Sequence, residues 1–308
     1  MIELYGARVP LLPPHFLKNL PFCGIIMTAG SASAVFYPLN VFWPEQVSTL
    51  WATDPLRIGW LSCILGGGTL AGQVFGGVLV SCGKAKWQFV AAAVTMTAFV
   101  GGISTCPSSP ASSSAYHLVA MTSTNRNTLV TAEVLCFLGA FSLGYIENVA
   151  CTLVPFTQRD KDIGAAIGTL ISLRTTIASI ALAIYSTVQA NKFAQFTQEI
   201  VVPAAEKAGI AADVIPALLD GLASGSISNI PGVTGSSAKT LTIAHQKAFS
   251  KAVHIVYLIS IAFGALAIGG ALVSPNPDSK FTTQVARRMH GQENEEMKGK
   301  DIELEATV

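Results

Sequence analysis

The stretch IGWLSCILGGGTLAGQVFGGVLVSC, residues 58–82, contains no Asp, Glu, Lys or Arg. A helix needs about 20 predominantly apolar residues to cross the hydrocarbon of a bilayer. Comparable apolar runs lie on both sides of this stretch. We therefore expect an all-α transmembrane protein with six spans, at about residues 22–42, 58–82, 87–106, 129–156, 163–188 and 252–273.

The composition of the chain favours the same class of protein. Of its 308 residues, 51% are hydrophobic and 12% are charged, whereas soluble domains usually carry about 25% charged residues. The formal net charge is +1, and no dense block of Lys and Arg occurs. We expect a lipid bilayer as partner and no nucleic acid.

The chain lacks the sequence motifs of metal sites and of common enzymes. Its 6 cysteines include no CxxC pair and no His/Cys cluster at metal-ligand spacing. The HExxH motif, the Gly-x-Ser-x-Gly elbow and a phosphate-binding glycine loop followed by Lys are all missing. We therefore expect no enzyme activity, no metal and no cofactor.

The distribution of Lys and Arg predicts the orientation in the membrane. With a cytosolic amino terminus, the short outer segments carry only Arg57 and Arg126, and the inner segments carry most other basic residues. Cytosolic loops hold the excess of Lys and Arg, so we expect both termini in the cytosol, with a segment at 1–21 and a disordered tail at 276–308. The long loop 189–251 would lie outside, with two or three short helices that form either a lid or a packed cap.

Small residues recur at helical spacing within the spans. Such residues at every fourth position let helix backbones approach closely in a membrane. We expect helix packing through these positions: Gly68, Gly72, Gly76, Ala140, Gly144, Gly164 and Gly168.

An acid and a base lie inside two consecutive spans. Glu147 is about eight residues, roughly 12 Å, from the inner end of its span, and Arg174 is about eleven residues, roughly 16 Å, from the inner start of the next. The connection at 157–162 is short, so we expect these two helices to pack antiparallel. An ionised side chain at this depth costs at least about 2.5 kcal/mol, so it needs a partner or a water-filled cavity. The two residues either line a pathway, where Glu147 exchanges a proton or contacts a solute, or form a static pair.

Other polar residues are candidates for the same pathway. Gln73 and Asn148 could hydrogen-bond between helices or to a solute. Glu133 and His254 lie nearer the outer surface, where either could titrate or serve only as an interfacial residue.

Several segments resemble a known family. They are GYIE at 144–147, LVP at 153–155, DKDIG at 160–164, SLR at 172–174, VPAA at 202–205 and IPGVT at 230–234. These segments are similar to the later part of fungal major facilitator superfamily transporters, in the group of trichothecene efflux pumps and siderophore transporters. The resemblance covers most of residues 22–275.

The resemblance implies a six-helix bundle that corresponds to the carboxy-terminal half of the major facilitator fold. It further implies proton-driven alternating access, with the solute held at mid-membrane. The signature basic loop of the family belongs to an amino-terminal half, and only a degenerate form of it occurs at 76–86. We therefore expect the carboxy-terminal part of a transporter, from a truncated gene model or a shortened paralogue, with a complementary amino-terminal six-helix half as a partner.

The function expected from this resemblance is efflux of an amphipathic small molecule by proton antiport across the plasma membrane. Two alternatives remain open. One is uptake of a siderophore–iron complex together with protons. The other is a truncated membrane protein that transports nothing.

Overall fold

A computed structural model of the chain describes residues 16, 18–50, 54–104, 126–159, 162–210, 214–224 and 235–277. These residues are almost entirely helical, and no strand occurs among them. The α-helices are α1 (Leu20–Leu50), α2 (Pro55–Leu79), α3 (Ala85–Ser104), α4 (Arg126–Leu153), α5 (Ile163–Phe196), α6 (Val202–Lys207), α7 (Ile215–Ser224) and α8 (Gly235–Val273). Most of the predicted segment 1–21 and of the predicted tail 276–308 lies outside the described residues.

Short irregular segments follow three of these helices. The 3₁₀ turns Val80–Cys82 and Val154–Thr157 come after α2 and α4, and the π-helical turn Thr197–Val201 joins α5 to α6. Between α2 and α3 the backbone of Gly83 has a φ of 81°, which glycine adopts without a steric penalty. This glycine lets the chain reverse direction sharply into α3.

The helices confirm an all-α transmembrane fold. Among the described residues, five helical segments are long and apolar enough to cross a membrane: Leu20–Leu50, Pro55–Cys82, Ala132–Thr157, Ile163–Lys207 and Ser237–Val273. The third predicted span, 87–106, coincides with α3, which is not among the five. At 20 residues α3 is shorter than they are, and its first turn contains Lys86 and Gln88. The division into spans and loops stays a prediction.

Helices α5 and α8 extend further than their predicted spans. α8 has 39 residues, or about 58 Å at the helical rise of about 1.5 Å, against a hydrocarbon thickness of about 30 Å. Segment 189–251 was expected to contain only short helices, and this is wrong at both of its ends, where α5 and α8 extend into it. The short helices of this segment are α6 and α7. Continuation is favoured because residues of both extensions, with α6 and α7, form a second hydrophobic cluster around Val201, Leu218 and Leu241.

The contacts between helices divide the bundle into two equivalent triplets, α1–α2–α3 and α4–α5–α8. α1 packs on α5 and α8, and α4 packs on α2 and α3, so these four contacts exchange when the triplets are exchanged, although α5 also packs on α8 and α2 does not pack closely on α3. α3 and α8 pack on each other. Nested repeats of three helices occur within each half of major facilitator transporters. The described helices thus match the half-fold that the resemblance implies.

Helices joined by the shortest connections are not the main packing partners. Few contacts join α2 to α3, or α4 to α5, whereas α2 with α4 is the most extensive helix pair. The expected antiparallel packing of α4 on α5 is therefore wrong. The reason is that α4 is already flanked by α2 and α3, while α5 lies against α1 and α8.

Candidate functional site

The predicted acid and base form an ion pair between α4 and α5. Arg174 Nη1 lies 2.8 Å from Glu147 Oε1, and the two side chains are only 18% and 13% exposed. The pair joins two helices whose backbones have few contacts with each other. Side-chain length, rather than backbone proximity, brings the two charges together.

A third helix contributes a hydrogen bond to the same carboxylate. Gln73 Nε2 of α2 donates to Glu147 Oε2 at 3.1 Å. One carboxylate oxygen therefore faces the guanidinium and the other accepts from the amide. The site is thus a carboxylate held by a charged side chain on α5 and by an amide on α2.

Close contact between α2 and α4 places Gln73 beside Glu147. A Cβ added to Gly68 would lie 2.7 Å from the carbonyl oxygen of Phe137, and one added to Gly76 would lie 3.3 Å from that of Tyr145. At Gly72 and Gly144 an added Cβ would overlap a carbonyl oxygen of the facing helix. Backbone touches backbone along this face, as small residues permit in membranes.

Two other candidates of α4 lie on the same interface. Ala140 is buried, and its Cβ is 3.0 Å from the position of a Cβ added to Gly68. Asn148 is half-buried, with its Cβ 3.3 Å from a Cβ added to Gly76. Asn148 therefore lies against α2, next to the ion pair.

The glycines of α5 behave differently from those of α2. Gly164 and Gly168 are exposed, and a Cβ added to either would meet no atom within 4 Å. Neither position packs against another helix in the described part of the chain, so their packing role stays a prediction. Spacing identifies a face of a helix but not whether another helix covers that face.

Glu133 and His254 lie away from the ion pair. Glu133 is half-buried near the start of α4, where the charge of Arg57 acts on it. It is 14 positions from Glu147, or about 21 Å along the helix. His254 is half-buried on α8, two positions before Val256. Val256 belongs to the same hydrophobic cluster as Tyr185. Tyr185 lies 11 positions beyond Arg174 on α5, so His254 is far from the ion pair. The structure brings together only Glu147, Arg174 and Gln73.

One polar contact near the site was not anticipated from the sequence. Tyr145 Oη of α4 donates to Gln88 Oε1 of α3 at 2.5 Å. Gln88 Nε2 in turn donates to the carbonyl oxygens of Leu79 at 2.9 Å and of Gly83 at 2.7 Å. The amide of Gln88 thus fastens the end of α2 and the following turn to α4. No spacing rule links these residues, so the sequence carries no signal for the contact.

The exposed faces of α2 and α5 differ in chemistry. On α2 the exposed side chains include Trp60, Leu70, Val74 and Phe75, which suit lipid tails. On α5 one exposed face carries small polar residues, whose hydroxyls donate to carbonyls of the preceding turn: Thr175, Thr176, Ser179, Ser186 and Thr187. A polar face of this kind suits water or another protein surface better than lipid.

Across the ranges that the structure describes, no group of three or more His, Cys, Asp or Glu side chains is placed to hold a metal ion.

The fold and the buried ion pair define an all-α polytopic membrane protein with half of a major facilitator fold. The family model of the fungal trichothecene efflux pump matches residues 110–306. The chain belongs to this family.

Individual relatives agree with the family match. The chain is 23% identical over 303 residues to a trichothecene efflux pump of Fusarium sporotrichioides, covering 96% of this chain and 48% of that protein. It is 23% identical over 295 residues to the MFS-type transporter prx5 of Penicillium rubens, covering 92% of this chain and 50% of that protein. The chain therefore spans about half the length of the curated relatives it matches. No solved structure matches it.

Proposed function

We propose that the chain is the carboxy-terminal half of a secondary transporter that exports an amphipathic small molecule in exchange for protons. The observation that carries the proposal is the ion pair of Glu147 and Arg174, enclosed between apolar helices and held by Gln73. Ionisable groups inside membrane spans are costly, and they mark ion and solute pathways.

The proposed coupling step is the gain and loss of a proton at Glu147. Protonation removes the negative charge that attracts Arg174. Because α4 and α5 have few other contacts apart from the turn after α4, weakening the pair frees α5 to move relative to α4. Proton binding is thereby linked to the position of a helix that borders the pathway, as alternating access requires.

A complementary six-helix half is the proposed partner. The exposed face of α5 that includes Thr175, Ser179 and Ser186 is richer in hydroxyls than the exposed face of α2. We assign this face to the second half and to the water-filled pathway between the halves. The relatives are about twice as long as this chain, so their remaining length is enough for a second half of similar size.

The proposed location is the plasma membrane, with both termini in the cytosol. The distribution of Lys and Arg supports the orientation, because cytosolic loops hold the excess of these residues, and the plasma membrane is proposed from the relatives, which are named efflux pumps. Tags at the two ends that become accessible on opposite sides of intact cells would contradict this orientation.

The test of the transport proposal is a charge-removing substitution in an assembled transporter. The chain is co-expressed with the amino-terminal half of a family member, and export of a trichothecene, the solute in the relatives' names, is measured from vesicles at several imposed pH gradients. We expect Glu147→Gln to abolish the dependence of export on the gradient. Glu133→Gln, on the same helix about 21 Å away, is the matched control and should keep it.

Two results would contradict the proposal. If the unsubstituted assembly exports no trichothecene, the solute class or the transport function is wrong. If Glu147→Gln exports with an unchanged dependence on the gradient, the ion pair only holds α4 and α5 together.

A further inference from the structure

The carboxy-terminal part of α5 is fixed to α8 by aromatic side chains. The ring centroid of Tyr185 lies 5.8 Å from that of Phe263. Further along α5, the ring of Phe193 lies 5.4 Å from His245 and 5.8 Å from Phe249. All three pairs meet edge to face, which is an arrangement that aromatic rings prefer. α5 and α8 are therefore joined from Tyr185 to the end of α5.

Beyond α5 the chain folds back onto α8 as a helical cap. This cap consists of the π-helical turn Thr197–Val201, α6, α7 and residues 235–251 of α8. Val201 and Leu241 are buried together within it. Lys251 Nζ lies 5.6 Å from the ring centroid of Phe196, within the range of a cation–π contact. The cap thus holds the carboxy-terminal end of α5 against α8.

α8 is itself held firmly on α1. A Cβ added to Gly270 would lie 2.8 Å from the carbonyl oxygen of Gly24, so these backbones touch as those of α2 and α4 do. α1 also reaches α5 directly, where Gln189 Nε2 donates to Glu45 Oε1 at 3.3 Å. Two hydrogen bonds of 3.0 Å fasten the other end of the α1–α8 pair: Tyr257 Oη donates to Gln46 Oε1, and Gln246 Nε2 donates to the carbonyl oxygen of Thr49.

The amino-terminal part of α5, residues 163–174, is attached differently. It contains no aromatic residue, and a Cβ added to either of its glycines would meet no atom within 4 Å. Its contacts with the bundle core involve aliphatic side chains such as Leu170. Among the described residues, the ion pair of Arg174 and Glu147 is the only hydrogen bond or ion pair that joins this part to another helix. Loss of the charge on Glu147 therefore loosens this end of α5 in particular.

α5 is built to tilt as a single rod. Its 34 residues include no proline and no Gly/Ser pair, which are the usual causes of a sharp kink. Ala165 is 20 positions from Tyr185, or about 30 Å along the helix. A tilt of about 10° around Tyr185 would displace Ala165 by about 5 Å.

We propose that the helical cap is a fixed pivot for α5, so that loss of the charge on Glu147 moves the amino-terminal end of α5 and leaves its carboxy-terminal end on α8. This inference rests on the proposed coupling step, because it takes protonation of Glu147 as the event that releases α5. With both termini in the cytosol, the moving end lies on the cytosolic side. Protonation then opens the pathway toward the cytosol, while the opposite end of α5 stays in place.

The experiment follows the two ends of α5 separately in the assembled transporter. Spin labels are attached to incorporated ketone-bearing amino acids, which leaves the native cysteines untouched. The amino-terminal pair of labels is at Lys84 and Ala165, and the carboxy-terminal pair is at Leu56 and Ala190, all of them exposed positions. Lys84 and Leu56 mark the two ends of α2, which is in backbone contact with α4. The distances are measured by pulsed electron paramagnetic resonance.

The first comparison is between the unsubstituted assembly and Glu147→Gln, which imitates the protonated acid. We expect Glu147→Gln to change the distance of the amino-terminal pair by about 5 Å. The distance of the carboxy-terminal pair should stay the same, because Ala190 lies within the part of α5 that α8 holds.

The second comparison removes an attachment of the pivot. Phe193→Ala deletes the ring that contacts α8, and in combination with Glu147→Gln it should change the distance of the carboxy-terminal pair as well. Phe75→Ala is the matched control, because its ring lies 5.7 Å from that of Phe141, away from the cap. Combined with Glu147→Gln, the control should give the same two distances as Glu147→Gln alone. The first comparison does not depend on Phe193→Ala, so it decides the question even if that variant fails to fold.

The outcomes separate this inference from the proposal on which it rests. If both distances change equally in Glu147→Gln alone, α5 moves as a whole, which overturns the pivot and leaves the coupling step intact. If neither distance changes, protonation does not release α5, and the coupling step itself is wrong. If the carboxy-terminal distance stays fixed when Phe193→Ala is combined with Glu147→Gln, the cap contact is not what holds this end, which also overturns the pivot.

Discussion

The contact between α2 and α4 and the contact between α4 and α5 hold the same helix in opposite ways. α2 meets α4 through glycines, backbone against backbone, over several turns. α5 meets α4 mainly through one ion pair at the ends of long side chains. The first contact is dry and independent of pH, whereas the second depends on the charge of Glu147. The comparison suggests that α2 and α4 move as a unit and that α5 is the element that protonation releases.

The outer surfaces of α2 and α5 repeat this contrast. α2 exposes large apolar side chains such as Trp60 and Phe75, whereas α5 exposes a face of hydroxyls such as those of Thr175 and Ser179, with Ile180 exposed beside it. α2 faces lipid on one side and contacts the backbone of α4 on the other, so it has little freedom to move relative to α4. A helix with a polar outer face can instead slide along water or along a partner half.

The largest expected effect comes from filling the α2–α4 contact. Gly72→Leu places a side chain where the carbonyl oxygen of Phe141 lies, so the helices must separate, at a cost of about 3 kcal/mol or more. Thermal unfolding of the purified protein in detergent measures the loss. Gly168→Leu is the matched control, because that position is open, and it should change stability by less than about 0.5 kcal/mol. Equal losses for the two variants would show that α2 and α4 are not in backbone contact.

The next effect comes from removing the base of the ion pair. Arg174→Leu leaves Glu147 unpaired between apolar helices, and we expect a loss of about 2 kcal/mol, less than for a fully buried pair, since the two side chains are 18% and 13% exposed. Adding Glu147→Gln should recover part of this stability, because no unpaired charge then remains. A double-mutant cycle of thermal stabilities measures the coupling, and strictly additive effects would mean that the two charges do not interact.

Much of the fold follows from the sequence for a simple physical reason. Uncharged apolar runs identify helices that belong in lipid, and the fixed rise of the helix converts residue counts into depth. That arithmetic alone placed Glu147 and Arg174 at similar levels, and their side chains meet. The backbone packing of α4 on α5 was expected wrongly, since a short connection limits distance but does not select packing partners.

Other features depend on tertiary contacts that no local pattern encodes. Segment 189–251 resembles a loop in composition. The extensions of α5 and α8 into this segment are nevertheless helical, because Val201 and Leu241 are buried together in the second hydrophobic cluster. Gly164 and Gly168 share the spacing of the α2 glycines, but no helix among the described residues faces them. The role of Gln73 in binding the Glu147 carboxylate required knowledge that α2, and not α5, is the close neighbour of α4.

A smaller effect is expected from removing the amide on α2. Gln73→Leu deletes the hydrogen bond to Glu147 Oε2, and hydrogen bonds to charged groups contribute about 1.5 kcal/mol or more. Thermal stability should fall by about this amount, and the pH at which export is half-maximal should move. Gln195→Leu is a suitable control, because the Gln195 bonds to Lys192 and Glu199 are exposed. If the half-maximal pH stays fixed, Gln73 does not act on the carboxylate.

The smallest effect should come from the contact near the carboxy-terminal end of α2. Tyr145→Phe removes only the bond to Gln88 Oε1, and we expect a loss of about 1 kcal/mol, the usual net value of a neutral hydrogen bond. Because Gln88 still holds Leu79 and Gly83 through its amide nitrogen, the turn after α2 should keep its shape and export should keep its pH dependence. Tyr37→Phe on α1 serves as the control for the general effect of losing a tyrosine hydroxyl. Thermal unfolding and the pH dependence of export are measured for both variants. A large change in the pH dependence with Tyr145→Phe would mean that the contact with α3 helps to set the position of Glu147, in addition to the glycine contact with α2.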